Sequence, residues 1–265
     1  MGTTTPSESG PPPRADSVVA DTIVLASRGA RMTSARYDGI ADWYDSQSGS
    51  DYGETVADLL GPGSGPCLDL GCGTGHYFAA IRSTGRWVVG LDVSADQLRI
   101  ARPRGGELLR ADALALPFLD GVFTGAAAIW VSTDVDDLPA ALAEVARVLQ
   151  PGGRLVLLGV HPCFNGPGVE AGPDGCCIVH PIYRQARRHL DAPWWGRDGI
   201  RHRVGGMRHV PLTELFGAVL ASGLKIERVE EPGERPIPVA LAISARRVDQ
   251  LEMPNRLTRS VIGSS

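Results

Sequence analysis

The chain has 265 residues, 43% of them hydrophobic, and a formal net charge of −4. That suits one good-sized domain with an insertion and tails, and it excludes a general nucleic-acid binder, which needs a positive field to meet phosphates. No run approaches the roughly 20 apolar residues of a bilayer span; residues 18–26 come nearest and are interrupted by Asp21, without the basic start or cleavage pattern of a secretion signal. The expectation is a cytoplasmic protein with no membrane partner. Five cysteines (Cys67, Cys72, Cys163, Cys176 and Cys177) show no CxxC spacing, so reduced thiols are expected rather than disulfides or a zinc site.

Residues 1–16 are small, polar and proline-rich, and read as a disordered tail. Residues 17–55 read as an N-terminal helical cap, in which Tyr37, Ile40, Trp43 and Tyr44 fall on neighbouring helical positions. Such a stripe serves either core packing or a cover over a ligand. The main domain spans 56–247. Strands are predicted at 67–70, 87–91, 107–110, 122–129 and 154–159, with helices at 76–83, 95–101 and 138–149. Pro151-Gly152-Gly153 stops the last of these helices. Crossovers of this length imply a parallel sheet with helices on both faces.

Residues 161–210, rich in Gly, Pro, Trp, His and Arg, break the rhythm and read as an insertion over the sheet. A helix at 212–222 follows, then strands at 225–230 and 239–246, paired antiparallel across a proline-containing turn. The tail, 248–265, carries no clear signal.

Within the first strand and turn, residues 67–77 read CLDLGCGTGHY. A dinucleotide fingerprint would need glycine at position 76, where His76 stands, and no Lys-Ser/Thr pair follows to make a Walker loop. Asp69 lies two residues before Gly71, where a carboxylate would repel a pyrophosphate and attract an ammonium. Asp92 closes the second strand, 21 residues beyond Gly71, where an acid can accept two ribose hydroxyls. Asp112 ends the third. Three acids at successive strand ends beside a GxGxG turn point to an adenosyl ligand with a charged amino-acid portion.

With LDLGCGTG, VVGLDVS, RADALALPF and EVARVLQPGGRLVLLG in place, the chain resembles the class I S-adenosyl-L-methionine-dependent methyltransferases, over about residues 36–160 with the closing strands in support. The resemblance implies a Rossmann-like α/β fold, a seven-stranded sheet in the order 3-2-1-4-5-7-6 with the last strand antiparallel. It implies that Asp69, Gly71, Cys72, Gly73 and Gly75 hold the methionine portion of the cofactor. Asp92 and Val93 would hold the ribose, Asp112 and Ala113 the adenine, and Ile129 would complete the set. Tyr37, Trp43 and Tyr44 stand where relatives cover the cofactor. The fourth strand departs from many relatives, with Thr124, Thr133 and Asp134 at positions where they carry an acid or a histidine, so no substrate role is carried over there.

Transfer of a sulfonium methyl to a hydroxyl asks for a general base, and an amine does not. His161, just beyond the fifth strand, is the candidate base; His202 and His209 are weaker rivals. Trp130, Tyr183, Trp194, Trp195, Arg203 and His209, with His161, are the candidate substrate residues. Asp136 is read as the cap of the helix beginning near Asp137, and no metal site is expected. The expected activity is methyl transfer to O or N of a small organic acceptor, in secondary metabolism. RNA or peptide methylation, or a non-catalytic cofactor-binding homologue, are the alternatives. The sequence sets no oligomeric state, and a homodimer is compatible with it.

Overall fold

The computed structural model describes residues 34–49, 51–190 and 200–248. Trp194 and Trp195 lie outside the described residues, as do the tail 1–16 and all but the start of 248–265.

Seven strands form one sheet: β1 (Pro66–Leu70), β2 (Trp87–Asp92), β3 (Glu107–Arg110), β4 (Phe123–Ile129), β5 (Leu149–Val160), β10 (Leu224–Glu230) and β11 (Ala240–Arg247). Their spatial order is β3-β2-β1-β4-β5-β11-β10. Strands β1 to β5 run parallel, and β11 is antiparallel to both neighbours. This is the Rossmann-like order implied above.

Strands covered on both faces are apolar almost throughout, and here the pleat divides them cleanly. Leu68, Leu70, Ala126, Ala128, Leu155, Leu157 and Ile243 face one layer, with Leu142 and Val145 of helix α5 (Leu138–Val148) and Leu215 and Val219 of α7 (Leu212–Ala221). Cys67, Ala127, Val156, Leu158 and Ala242 face the other. There they meet Val56, Leu59 and Leu60 of α2 (Gly53–Leu60), Phe78 and Ile81 of α3 (Phe78–Ser83), and Leu98 of α4 (Ala95–Ala101). The central alanines of β4 are fully buried, small enough to let both layers close on the sheet.

Several boundaries differ from expectation: the helix expected at 76–83 begins at Phe78, and the one expected at 138–149 ends at Val148, with Leu149 already extended before Pro151-Gly152-Gly153 is reached. Helix α2 was not anticipated, because Tyr52 at its N-cap offers no capping side chain. Strand β5 begins at Leu149 rather than at 154: Phe123 pairs with Leu149 and Gly125 with Arg154, so residues 150–153 form an excursion within the strand. Proline and glycine mark this irregularity and not the strand's start.

Between β5 and α7 lie two small hairpins, β6 (Val169–Ala171) with β7 (Cys177–Val179) and β8 (Arg188–His189) with β9 (Met207–Arg208), and the short α6 (Ile200–Arg203). The segment is tied to the sheet's carboxyl edge by Arg208 N–H to Thr133 O (2.9 Å). It is tied to the N-terminal segment by Arg203 to Gly39 O (2.8 Å) and by Val204 packing on Ile40.

Candidate functional site

The carboxyl ends of β1, β2, β3 and β4 converge, as ligand sites in open α/β sheets do. After β1 the chain turns through Gly71 and Gly75 at φ +65° and +83°. A Cβ would lie 2.7 Å from Val131 Cγ2 at the first and 2.7 Å from the Phe78 ring at the second, so both positions demand glycine twice over. Cys72 N–H donates to Leu91 O (3.0 Å), closing the turn onto β2.

Asp92 accepts Gly73 N–H on Oδ2 (2.9 Å) and Ser94 N–H on Oδ1 (2.8 Å). Burial raises its carboxyl, and backbone N–H groups from Ser94, Gly73 and Val93 hold it back. Each oxygen retains acceptor capacity toward a pair of vicinal hydroxyls. Asp112 is buried and accepts Leu114 N–H on Oδ1 (2.9 Å), which aims the Asp112–Ala113 turn at the same space.

Asp69 is 2% exposed. Burial, and then the neighbouring Asp92 charge, push its pKa up to about 8. No guanidinium or ammonium among the described residues offsets this. A buried carboxylate without a cation is costly, and a ligand ammonium would relieve it.

Over the turn sits α1 (Ala41–Gln47). Tyr37 and Tyr44 meet edge to face at 5.4 Å, and Tyr37 O–H donates to Asp134 Oδ2 (3.1 Å). Burial pushes the Tyr44 phenol up to about 12. Trp43 turns the other way, toward Ile40 and Val204, and borders neither cavity. Asp45 is gripped bidentately by Arg104 (2.7 and 3.0 Å), and Arg104 also donates to Thr74 O in the glycine turn. Asp136 receives Arg36 (2.5 Å) and Arg188 (2.7 Å). Asp137, not Asp136, caps α5, accepting Ala140 N–H at 3.0 Å; the cap belongs one residue later than the sequence reading placed it.

Two cavities result, sharing Gly71, Gly73, Tyr37, Tyr44, Ile129, Trp130 and Asp134. The first, of about 130 Å³, reaches Asp92, Val93, Asp112 and Ala113. The second, of about 230 Å³, passes Asp69 and Cys72 to Tyr52, His76, Tyr77 and Asn165. Trp130 stands between them at φ +60°, among the described residues the one non-glycine with positive φ. A bulky side chain there is strained, and such strain gathers at functional sites. Its Nε1–H donates to Tyr77 Oη (3.1 Å), and Tyr52 packs edge-on at 5.5 Å.

Comparison with known proteins agrees with this geometry. Residues 68–157 match the family model described as a methyltransferase domain. Demethylmenaquinone methyltransferase of Mycolicibacterium gilvum is 38% identical over 164 residues, which cover 53% of this chain and 72% of that protein. The chain belongs to the S-adenosylmethionine-dependent methyltransferases. O-methyltransferase cnsE of Penicillium expansum is 39% identical over 121 residues, 41% of this chain but only 44% of that relative's length. A crystal structure of an S-adenosylmethionine-dependent methyltransferase from Mesorhizobium loti superposes with TM-score 0.60 at 25% identity, covering 79% of this chain and 99% of that one.

The residues fit the methyltransferase cofactor: a cation-free buried acid, a turn with no space for side chains at Gly71 and Gly75, and an acid with acceptor capacity at the end of β2. Among the other residues singled out from the sequence, several stand apart from both cavities. His161 Nε2 lies 2.8 Å from Glu231 Oε1, its Nδ1 accepts Cys163 N–H (3.2 Å), and its ring stacks on Phe164. Both nitrogens are thus engaged. His209 Nε2 bonds Tyr183 O (2.7 Å), Tyr183 Oη accepts Leu212 N–H (2.9 Å), and Arg203 holds Gly39. The sequence reading did not foresee Tyr52, His76, Tyr77 or Asn165 at the site; only the HY immediately after the glycine turn carried a signal.

Proposed function

We propose that this methyltransferase transfers a methyl group to O or N of a small, flat organic acceptor lodged in the part of the second cavity that lies beyond Asp69 and Cys72, toward Tyr52, Tyr77 and Asn165. The observation that carries the reading is the ring of Tyr44, Tyr52, Tyr77 and Trp130 around that cavity, contiguous with the first through Gly71 and Gly73. Aromatic walls with a few polar groups are what a planar organic molecule requires. Relatives named O-methyltransferase and demethylmenaquinone methyltransferase support a small acceptor.

In this reading Asp69 and the turn through Gly71, Cys72, Gly73 and Gly75 receive the methionine portion. Asp92 and Val93 receive the ribose, Asp112 and Ala113 the adenine, and Ile129, Tyr37 and Tyr44 cover it. S-adenosylmethionine, when bound, supplies an activated methyl on a sulfonium. The protein's contribution is alignment of the acceptor and exclusion of water, for which Trp130, set between the two cavities, is the wall.

Three arginines of the insertion favour a small acceptor over RNA. Arg188 is held by Asp136, Arg208 by Glu214 and Arg203 by Gly39 O, which leaves them engaged within the protein. The test is calorimetry with S-adenosylhomocysteine, then methyl transfer to resorcinol, 1,4-naphthohydroquinone and tyramine. Binding followed by methylation of any of the three is expected. Absence of S-adenosylhomocysteine binding would overturn the cofactor assignments, and binding with no transfer would overturn the acceptor class.

A further inference from the structure

His76 follows the last glycine of the turn and borders the second cavity, beside Asp69, Tyr77 and Trp130. Its Nε2 lies 3.0 Å from Asp45 Oδ1. The approach is close but not aligned as a hydrogen bond, and this buried nitrogen has no other partner among the described residues. Catalytic contacts are commonly loose before substrate binds and tighten afterwards. Asp45, in turn, is fixed by both nitrogens of Arg104, and Arg104 is fixed to the turn through Thr74 O. A carboxylate, an imidazole and a substrate cavity therefore lie in sequence, with the carboxylate immobilised from behind.

We propose that His76 is the general base of the reaction and that Asp45 is its positioning residue. The proposal rests on the methyltransferase reading above. Asp45 holds the Nε2–H tautomer, which leaves the Nδ1 lone pair as proton acceptor. The acceptor's O–H or N–H proton passes to Nδ1. The electron pair left on O or N forms the new bond to the methyl carbon as the carbon–sulfur pair returns to sulfur. The imidazolium, stabilised by Asp45, then releases its proton to water.

The surrounding charges agree with this role. Burial and then Arg104 lower the His76 pKa, while Asp45 and Asp51 raise it, for a net fall below the ordinary histidine value. The Arg104 bonds hold the Asp45 carboxyl below its usual range. At neutral pH the pair is accordingly carboxylate and neutral imidazole, the state a base requires. Asp69 and Tyr77 also face the cavity, and Tyr77 is kept protonated by burial.

The test uses the full-length protein saturated with S-adenosylhomocysteine and labelled with 15N-histidine, the His76 signal being assigned by its loss in His76→Gln. The expected result is a neutral Nε2–H imidazole at pH 7 whose pKa falls in Asp45→Asn and recovers in Asp45→Glu. With whichever of the three acceptors is methylated, kcat at saturating cofactor should fall about 100-fold or more in His76→Gln, in the range general-base loss gives. The acid limb of its pH profile should vanish, and S-adenosylhomocysteine affinity should stay within about threefold. A His76 protonated at pH 7 or insensitive to Asp45→Asn overturns the proposal, as does His76→Gln turning over at the wild-type rate. If no acceptor is methylated, the acceptor class fails on that ground, and the nitrogen spectra still decide the His76–Asp45 pair.

Discussion

Asp92 Oδ2 accepts the backbone N–H of Gly73 at 2.9 Å, so the acid that ends β2 also holds the turn that follows β1. The same carboxylate is proposed to receive the ribose, and its removal should act twice. Asp92→Ala is expected to weaken S-adenosylhomocysteine binding by about 1–3 kcal/mol, the cost of losing a buried hydrogen-bonding group. It should also lower stability by about 1 kcal/mol, because the Gly73 and Ser94 N–H groups lose their acceptor. Calorimetry and urea unfolding on one sample separate the two effects. An affinity equal to the wild type's would remove the ribose role.

Asp69 predicts a pH dependence of cofactor binding with a definite sign. With a pKa of about 8 in the free protein, the carboxyl is protonated at pH 6 and must ionise to meet an ammonium. Binding therefore releases a proton, and S-adenosylhomocysteine affinity should climb by up to about tenfold per unit from pH 6 toward 8, then flatten. Asp69→Asn should bind weakly at every pH and show no such slope. Proton release measured in buffers of different ionisation enthalpy checks the same point.

Stability should respond in the opposite sense. A carboxyl whose pKa is raised by folding contributes stability that is complete below its ordinary value near 3.8 and is lost as pH rises toward 8. Asp69→Asn, which never has to ionise, should melt higher than the wild type at pH 8, by about 1–2 kcal/mol, a common gain on relieving a functional site's strain. The difference should close near pH 4. Thermal melts at the two pH values test it, and a variant less stable at pH 8 would show that the carboxylate is better solvated than its burial implies.

How far the sequence carried the reading follows from what each feature depends on. The strands of the sheet and helix α4 were legible because hydrophobic period and end signals are local, and the three acids because strand ends put Asp69, Asp92 and Asp112 at one edge. Of the acceptor cavity only Trp130, at the end of β4, was legible, since Tyr52, Tyr77 and Asn165 come to it from three other segments. The same limit affected His161, whose location suited a base, yet Glu231 reaches it from 70 residues away. Asp45 and His76 likewise come from separate segments, brought together where Arg104 ties α1 to the turn. Asp136 read as a cap because caps are local, whereas its actual partners, Arg36 and Arg188, are distant in the chain.

That last pair of contacts makes a modest prediction. Asp136 joins the N-terminal segment to the insertion, but its side chain is 57% exposed, and exposed ion pairs are worth little. Burial raises its carboxyl while Arg188 and Arg36 lower it, for a net fall. Asp136→Ala should therefore cost no more than about 1 kcal/mol in urea unfolding, and less at high salt. Its larger effect should be faster proteolysis within residues 34–40 and 185–190, because both segments lose a shared anchor.

Trp130 gives the sharpest test of backbone against side chain. Its φ of +60° costs a non-glycine residue about 1–2 kcal/mol, while glycine instead pays about 0.5–1 kcal/mol in unfolded-state entropy relative to alanine. Trp130→Gly and Trp130→Ala both remove the wall between the cavities and the donor to Tyr77, so both should abolish methyl transfer. They should differ in stability, with Trp130→Gly the more stable by about 0.5–1 kcal/mol, against the usual order of these two residues. Trp130→Phe keeps the wall and loses only the hydrogen bond, so it should retain cofactor affinity and much of the turnover. Paired with Tyr77→Phe in a double-mutant cycle, it should return a coupling of about 1 kcal/mol. If alanine instead proved the more stable replacement, the strain at position 130 would not be a property of the folded chain, and the wall would have to be explained by packing alone.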